Sequence, residues 1–199
     1  EKGSSTEDDL NSIKEEIERI VTITEKLQEF SRSNKSDVET VELNCLIEDI
    51  LSLIKPELNI KSIKLITNFD MGQPEVMAHG DDLRQAFLNS ITNAMDAMPN
   101  GGTLTIKTQV VRNSEFGVQS TEGKNTELKT QYSELKGDSV RITFEDTGCG
   151  IAEKDIDRVF EPFFSTKKEI KGVGLGLSTS YATIEGYGGK ISVDSEEGK

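Results

Sequence analysis

The sequence has no apolar run of the roughly 18 to 20 residues that a membrane-spanning helix needs, and it does not open with a signal-peptide pattern. Positive charge is also scarce, because 23 Lys and Arg residues stand against 36 Asp and Glu residues, for a net charge of -13. This charge would repel nucleic acid and anionic membrane surfaces, which are therefore disfavoured as partners. We expect a cytoplasmic globular protein, for which 199 residues with 34% apolar content supply an adequate core.

Residue types that bind transition metals are few. Cys45 and Cys149 lack metal-ligand spacing, and His79 is the one histidine of the chain, so these residues cannot complete a zinc site. We expect both thiols to be reduced and structural, and His79 to have a structural or surface role.

Near the start of the chain, apolar residues recur at alternating intervals of three and four, as in the seam of a coiled coil. The pattern predicts one helix from about Asp8 to Arg32, with a single apolar stripe that needs a partner. The residues of this stripe are Leu10, Ile13, Ile17, Ile20, Thr24 and Leu27.

Beyond this helix, hydrophobic periodicity predicts alternating helices and strands without an internal repeat. Asn44 is expected to cap a helix that closes near Asn59, and Asp81 to cap a helix that ends near Met98. Extended segments or strands are predicted at residues 38–43, 63–69, 103–111, 139–145 and 190–194, with a last helix at 175–185. The polar residues 112–137 are expected to form an insertion or loop.

The helix that ends near Met98 has a polar stripe that spans an arc of about 80° when successive residues are placed 100° apart. Its members are Asp82, Gln85, Asn89, Asn93 and Asp96, and the opposite face carries Leu83, Phe87, Ile91, Ala94 and Met98. The helix could therefore bury one face and present two carboxamides, one turn apart, to a cavity. Taken alone, the stripe could equally be a solvated surface.

Two glycine-containing segments follow. Asp146 ends an apolar strand, and Gly148 and Gly150 after it would let the backbone approach a flat ligand, although a simple strand-ending turn fits as well. GVGLGLS, residues 172–178, is a glycine-rich loop that leads into a helix, where backbone amides and the helix dipole suit a polyphosphate. It has neither the GxGxxG spacing of dinucleotide-binding folds nor the GxxxxGK[ST] pattern of a P-loop. Just before it, Lys167, Lys168 and Lys171 add positive charge.

Four segments occur in a specific order: RQAFLNSITNAMDAM (84–98), DTGCGI (146–151), FEPFFSTK (160–167) and GVGLGLS (172–178). Their order and spacing resemble the N, first glycine, F and second glycine boxes of the ATP-binding domain of sensor histidine kinases, within the GHKL superfamily, over roughly residues 80 to 195. The resemblance implies an α/β fold, a two-layer sandwich of a mixed β-sheet and helices (the Bergerat fold), preceded by one long coiled-coil-like helix. NAMDAMPNGG resembles the nitrogen-sensor type of kinase.

The resemblance also implies roles for individual residues. The amide oxygen of Asn93 would coordinate Mg2+, Asn89 would lie beside the phosphates of ATP, and Asp146 would accept a hydrogen bond from the adenine amine. ATP-hydrolysing relatives carry glutamate where Asn89 stands. Since a neutral amide cannot accept a proton from water near neutral pH, Asn89 favours phosphoryl transfer over hydrolysis.

The implied nucleotide site extends over the four boxes. A lid is expected from Ser165 to Gly174, hinged on Phe160, Phe163 and Phe164, although these aromatic residues could equally be ordinary core. The full set of implied contacts is Asn89, Asn93, Asp96, Asp146, Gly148, Gly150, Ile151, Phe160, Lys167, Lys171, Gly172, Gly174, Leu175, Gly176 and Leu177.

The resemblance divides the chain into two parts. Residues 1–36 would be the second helix of a dimerisation and phosphotransfer hairpin, and residues 37–199 the ATP-binding catalytic domain. No histidine lies where the family places its phosphoacceptor, so we expect a fragment that begins just after it and lacks the family's last strand. Expected partners are the histidine-bearing helix of the same kinase, a response regulator and a second copy in the full-length protein.

Two alternatives stay open at this point. The domain could be an ATPase of the same fold, or a non-catalytic module that binds a partner through its first helix and acidic surface.

Overall fold

The computed structural model describes residues 38–112, 138–166 and 173–198, together with Leu10, Ile13, Lys14 and Ile17, which are helical. The other residues of the predicted helix at 8–32, and nearly all of the predicted insertion at 112–137, lie outside the described residues. The apolar side chains of Leu10, Ile13 and Ile17 are more than half exposed.

Five strands and four helices succeed one another in the described ranges 38–112, 138–166 and 173–198. They are β1 (Glu39–Glu42), α1 (Leu43–Ile60), β2 (Ile63–Asn68), β3 (Glu75–Ala78), α2 (Gly80–Ala97), β4 (Gly102–Val111), β5 (Ser139–Asp146), α3 (Glu153–Ile156) and α4 (Gly176–Gly186).

The main sheet is mixed and has the strand order β2-β4-β5. β2 runs parallel to β4, and β5 runs antiparallel to β4 with Asp146 opposite Leu104. β1 and β3 form a separate antiparallel pair. β5 is paired along its full length, and Asp146 is its last residue. The carboxylate of Asp146, which is predicted to bind a ligand, therefore lies at the end of the sheet.

Helices α1 and α2 cover the sheet with their apolar faces, and the buried face of α2 is the one that the sequence predicts. Ile47 and Ile50 of α1, Ile91 of α2, and Leu104 and Ile106 of β4 are at most 2% exposed and belong to one hydrophobic cluster. The alternation of Leu104 and Ile106 places both on the same face of β4. This helix-on-sheet packing confirms the predicted mixed α/β fold.

The start of α1 differs from the prediction. Its N-cap is Glu42, whose carboxylate oxygens accept hydrogen bonds from the backbone N–H groups of Asn44 (2.9 Å) and Cys45 (2.8 Å). A side-chain hydrogen bond with Cys45 comes first, and these two backbone hydrogen bonds add to it, in holding the pKa of Glu42 below its ordinary value. Asn44, the predicted cap, instead ties the helix to its surroundings: its amide nitrogen donates to Asp70 O and its amide oxygen accepts from Thr108 Oγ1.

The start of α2 also lies earlier than predicted. The N-cap is His79, which makes no side-chain capping bond, and the predicted cap Asp81 lies in the first helical turn. A carboxylate there still interacts favourably with the positive end of the helix dipole.

The predicted strand at 190–194 was wrong, because these residues form no strand. Ile191 and Val193 are half-buried and their neighbours Ser192 and Asp194 exposed, so the alternation correctly indicated which side chains turn inward. Conversely, β3 and the four-residue α3 were missed, because neither is long enough to give a clear periodic signal.

Candidate nucleotide-binding site

Helix α2 brings the asparagine-rich segment against the second glycine segment. The amide nitrogen of Asn89 donates to the backbone oxygen of Gly176 (3.1 Å) and to Ser180 Oγ (3.4 Å). On its other side, the amide oxygen of Asn89 accepts from Gln85 Nε2 at 3.3 Å. The half-buried Asn89 side chain therefore bridges two segments that are 87 residues apart in the chain.

One turn further along α2, Asn93 is half-buried, and its side chain makes no hydrogen bond to another residue that the structure describes. Its amide oxygen therefore accepts no hydrogen bond from the described residues and is available to a ligand. Asp96, at the end of the polar stripe, forms an ion pair with Lys61, with 3.5 Å between Oδ1 and Nζ. The structure thus places Asp96 beside the residue that follows α1.

At the opposite end of the stripe, Tyr187 joins the two helices of the site. Its hydroxyl donates to Asp82 Oδ2 at 2.6 Å and accepts from the backbone N–H of His79 at 3.1 Å. Burial, and then the hydrogen bond to Asp82, raise the pKa of Tyr187 above its ordinary value. Because Tyr187 follows α4 directly, this contact fixes the end of α4 to the start of α2.

The start of α4 is held by hydroxyl groups that bond back to the backbone. Ser178 Oγ and Thr179 Oγ1 donate to Leu175 O at 2.9 and 2.7 Å, and Ser180 Oγ donates to Gly176 O at 2.9 Å. The N-cap residue of this helix, Leu175, makes no side-chain capping hydrogen bond. Leu175 is buried and Leu177 half-buried, so both anchor the segment in the protein.

The F segment is attached to Gly174. The backbone N–H of Phe163 donates to Gly174 O at 2.8 Å, and a Cβ added to Gly174 would lie 2.5 Å from Phe164 O. Gly174 also has a φ of +73°, which disfavours any other residue. The Phe160 ring packs against Tyr181 of α4, with 5.2 Å between ring centroids. These contacts bring the F segment and the second glycine segment together.

The loop after β5 contacts the other end of α2. Asp146 Oδ1 accepts from Gly148 N at 2.9 Å, and the N–H of Cys149 donates to Ala97 O at 3.0 Å. Ile151 is half-buried and donates its N–H to Ser195 Oγ at 2.9 Å. Asp146 Oδ2 makes no hydrogen bond to any of the described residues. One acceptor atom of the carboxylate is therefore uncommitted.

Three predicted contacts, Lys167, Lys171 and Gly172, lie outside the described residues, as does most of the predicted lid. The lid stays a prediction.

Sequence reasoning missed two residues that shape the site, Ser180 and Ser195. Ser180 is 1% exposed and contacts Asn89, and Ser195 contacts the loop after β5. A serine inside an apolar helix, whose hydroxyl can only bond to nearby backbone or to a facing side chain, was a usable signal for Ser180. No local signal marked Ser195.

The candidate binding groups thus lie around α2. They are the amides of Asn89 and Asn93, the Oδ2 atom of Asp146, and the backbone N–H groups at the start of α4. In the described part of the chain, no group of three or more His, Cys, Asp or Glu could hold a metal ion. The donor set instead suits a ligand with a flat hydrogen-bonding end and a polyanionic end. Among the described helices, none is both long enough and apolar enough to cross a bilayer.

Fold and site together define an α/β nucleotide-binding domain built around an asparagine-bearing helix. The chain belongs to the family of histidine kinase-, DNA gyrase B-, and HSP90-like ATPases, whose model matches residues 78–199.

Comparisons with known proteins agree with this family. The chain is 34% identical over 192 residues to the sensor kinase CckA of Brucella abortus, covering 96% of the chain and 19% of that relative. It also resembles the nucleotide-free catalytic domain of histidine kinase ThkA, with a TM-score of 0.60 and 25% identity over 82% of this chain and 90% of that one.

Two larger structures share the fold at lower identity. Full-length ShkA, solved in complex with AMPPNP, has a TM-score of 0.70 and 20% identity, covering 97% of this chain and 36% of that one. ThkA in complex with the response regulator TrrA has a TM-score of 0.66 and 23% identity, covering 100% of this chain and 50% of that one. The chain spans only 19% to 34% of the curated relatives that it matches first. The nitrogen-sensor subgroup stays a prediction.

Proposed function

We propose that the chain binds Mg-ATP between α2 and the two glycine segments and supplies the terminal phosphoryl group to a histidine on a phosphotransfer helix. The observation that carries this proposal is the bond from Asn89 Nδ2 to Gly176 O at 3.1 Å. It joins the asparagine segment to the second glycine segment, so the residues that would contact phosphate lie next to one another. The amides at the start of α4, where the N-cap residue Leu175 makes no side-chain capping bond, would face the phosphates.

Asp146 would select the base. Its Oδ1 is engaged by the N–H of Gly148, which orients the carboxylate and leaves Oδ2 to accept the adenine amine. Guanine carries an oxygen at the corresponding position, and two acceptors would repel each other. The site should therefore prefer ATP to GTP.

Asn93 would supply a protein ligand to Mg2+. This ion commonly takes one or two protein oxygens beside phosphate oxygens and water, so a single uncommitted amide oxygen fits it without an acidic cage. When bound with ATP, Mg2+ neutralises charge that develops on the transferring phosphoryl group. The protein's own part is to position the nucleotide.

Asn89 supports transfer rather than hydrolysis. Its amide nitrogen is engaged with Gly176 and Ser180, and its oxygen with Gln85. A neutral amide with both ends engaged cannot serve as a general base for water. The bound ATP would then persist until a histidine reaches it.

Partners follow from the same proposal. The ThkA relative was solved with its response regulator, and we propose that a response regulator takes the phosphoryl group from the histidine here as well. We also propose that residues 1–36 belong to the dimerisation and phosphotransfer hairpin, where pairing would cover the exposed Leu10, Ile13 and Ile17. We also propose a cytoplasmic location, because the proposed activity uses ATP.

Isothermal titration of the chain with AMPPNP and Mg2+ tests nucleotide binding. We expect saturable binding of one analogue per chain, weaker without Mg2+. Asp146→Asn should reduce affinity by about 10- to 100-fold, since Gly148 would hold the new amide oxygen and the amide nitrogen would then face the adenine amine. Asp157→Asn, an exposed carboxylate on the described surface, is the matched control.

The outcomes separate the alternatives. No binding by the wild-type chain would favour the non-catalytic module, and sustained phosphate release from ATP would favour the ATPase. Equal affinity of Asp146→Asn and wild type would contradict the adenine contact.

A further inference from the structure

The loop from Asp146 to Ile151 is held on two sides by other parts of the chain. On one side, the Cys149 N–H donates to Ala97 O at the end of α2, at 3.0 Å. On the other side lie residues 195–198, which no motif of the sequence had connected with this loop.

Residues 195–198 make two hydrogen bonds to the loop, one on each side of Gly150. Ser195 Oγ accepts from the N–H of Ile151 at 2.9 Å, and the N–H of Gly198 donates to Cys149 O at 3.0 Å. Two bonds that flank one residue fix both the position and the direction of the loop.

Gly150 permits this close approach. A Cβ added to Gly150 would overlap the carbonyl oxygen of Glu196 and lie 3.1 Å from Glu197 Cα, and its φ of +68° disfavours other residues. The sequence suggested that this glycine makes room for a flat ligand. The contacts show instead that the space beside its Cα is filled by residues 196 and 197.

We infer that residues 195–198 form a brace that holds the Asp146–Ile151 loop in its nucleotide-binding shape, with Ser195 as a positioning residue for ATP. The inference rests on the proposed function. The path is short, because the Asp146 carboxylate bonds to Gly148, Gly148 adjoins Cys149, and Cys149 is bonded to the brace.

Coupling of this kind is reciprocal. If the brace improves nucleotide affinity, bound nucleotide must stabilise the brace by the same factor. Two independent measurements can therefore test one inference.

The first measurement is AMPPNP affinity at a temperature where every variant is folded. Ser195→Ala should weaken binding about three- to tenfold, the factor that corresponds to one lost hydrogen bond. Ser195→Thr keeps the hydroxyl and should restore affinity to within about twofold of wild type. Ser52→Ala, an exposed serine on α1 whose hydroxyl bonds within its own helix, is the matched control.

The second measurement is hydrogen exchange of the wild-type chain with and without AMPPNP. The amides of Ile151 and Gly198 donate the two brace bonds, so nucleotide should slow the exchange of both. This result would hold even if Ser195→Ala failed to fold.

The brace is overturned if wild type binds AMPPNP while Ser195→Ala binds equally well, or if nucleotide slows exchange at Ile151 without slowing it at Gly198. Failure of threonine to restore affinity would also contradict the hydroxyl as the cause. If wild type binds no AMPPNP, the proposed function itself fails.

Discussion

Asn89 illustrates how a single residue can organise a site as well as contact a ligand. It is half-buried, its nitrogen holds the first turn of α4, and its oxygen is held by Gln85. The resemblance to sensor histidine kinases predicted that this amide lies beside the phosphates of ATP. Its bond to Gly176 depends on how α4 packs on α2, which no local pattern specifies.

Asn89→Asp tests this organising role. The change keeps the shape of the side chain but removes the donor, so Gly176 O would face a carboxylate oxygen instead of an N–H group. We expect a loss of about 1 to 3 kcal/mol in the free energy of unfolding, measured by urea denaturation. AMPPNP affinity should fall as well.

Asn100→Asp introduces the same charge in the exposed turn after α2 and serves as the control. Unchanged stability of Asn89→Asp relative to that control would show that the bond to Gly176 contributes little.

At the scale of secondary-structure elements, α2 and α4 are joined at both ends of their contact. Asn89 meets the start of α4, and Tyr187, just after α4, meets Asp82 and the backbone of His79. Two fixed points determine the position of one helix against the other better than one. The nucleotide site that we propose between α2 and the second glycine segment depends on both.

Tyr187→Phe removes the hydroxyl from this second point and keeps the ring. We expect the free energy of unfolding, measured by urea denaturation, to fall by about 1 to 2 kcal/mol. One hydrogen bond to a carboxylate and one from a backbone N–H disappear. Since the folded-state pKa of Tyr187 lies above its ordinary value of 10.0, this contribution should persist below about pH 10 and be lost as the pH rises further.

Tyr181→Phe is the matched control, because within the described part of the chain the Tyr181 hydroxyl bonds to Glu185 of the same helix, at the surface, and to no other element. The free energy of unfolding of Tyr181→Phe should fall by less than about 0.5 kcal/mol. Equal losses of stability in Tyr187→Phe and Tyr181→Phe would contradict the conclusion that Tyr187 holds α4 against α2.

The elements themselves were largely predictable, and their ends were not. Periodicity located α2, β2, β4 and β5 within a few residues, since a buried face must repeat with the geometry of its element. The cap of α1 was misplaced because Asn44, a favoured cap, bonds to Thr108 and Asp70 instead, and the cap of α2 was misplaced because that helix begins at Gly80, before Asp81. Residues 190–194 have a strand-like pattern, but a strand also requires a pairing edge, which alternation cannot reveal.

At the scale of the whole molecule, the stability of the folded state depends on pH through carboxylates that accept hydrogen bonds in the fold. Asp70 accepts hydrogen bonds from the N–H groups of Val110 (2.9 Å) and Gly72 (2.8 Å), which hold its pKa below the ordinary value of 3.8. A lowered folded-state pKa contributes stability above the ordinary value and loses it as the pH falls through the folded value.

Asp70→Asn should therefore be less stable than wild type near neutral pH, and the difference should shrink below about pH 3.8. Urea denaturation at a series of pH values measures it. Asp194→Asn removes the same charge at an exposed position and corrects for the change in net charge of this acidic chain. A difference that stays constant down to low pH would contradict the proposed linkage.

The sequence by itself determined which residue types are available and which faces are buried. Helical and strand periods follow from backbone geometry, and the four motifs carry their chemistry in order along the chain, so both can be read locally. Tertiary structure decided how distant segments meet: Asn89 with Gly176, Tyr187 with Asp82, and Ser195 with Ile151. These contacts depend on packing between elements far apart in the chain, where a shift of one side chain changes the hydrogen-bond partner without changing any local pattern.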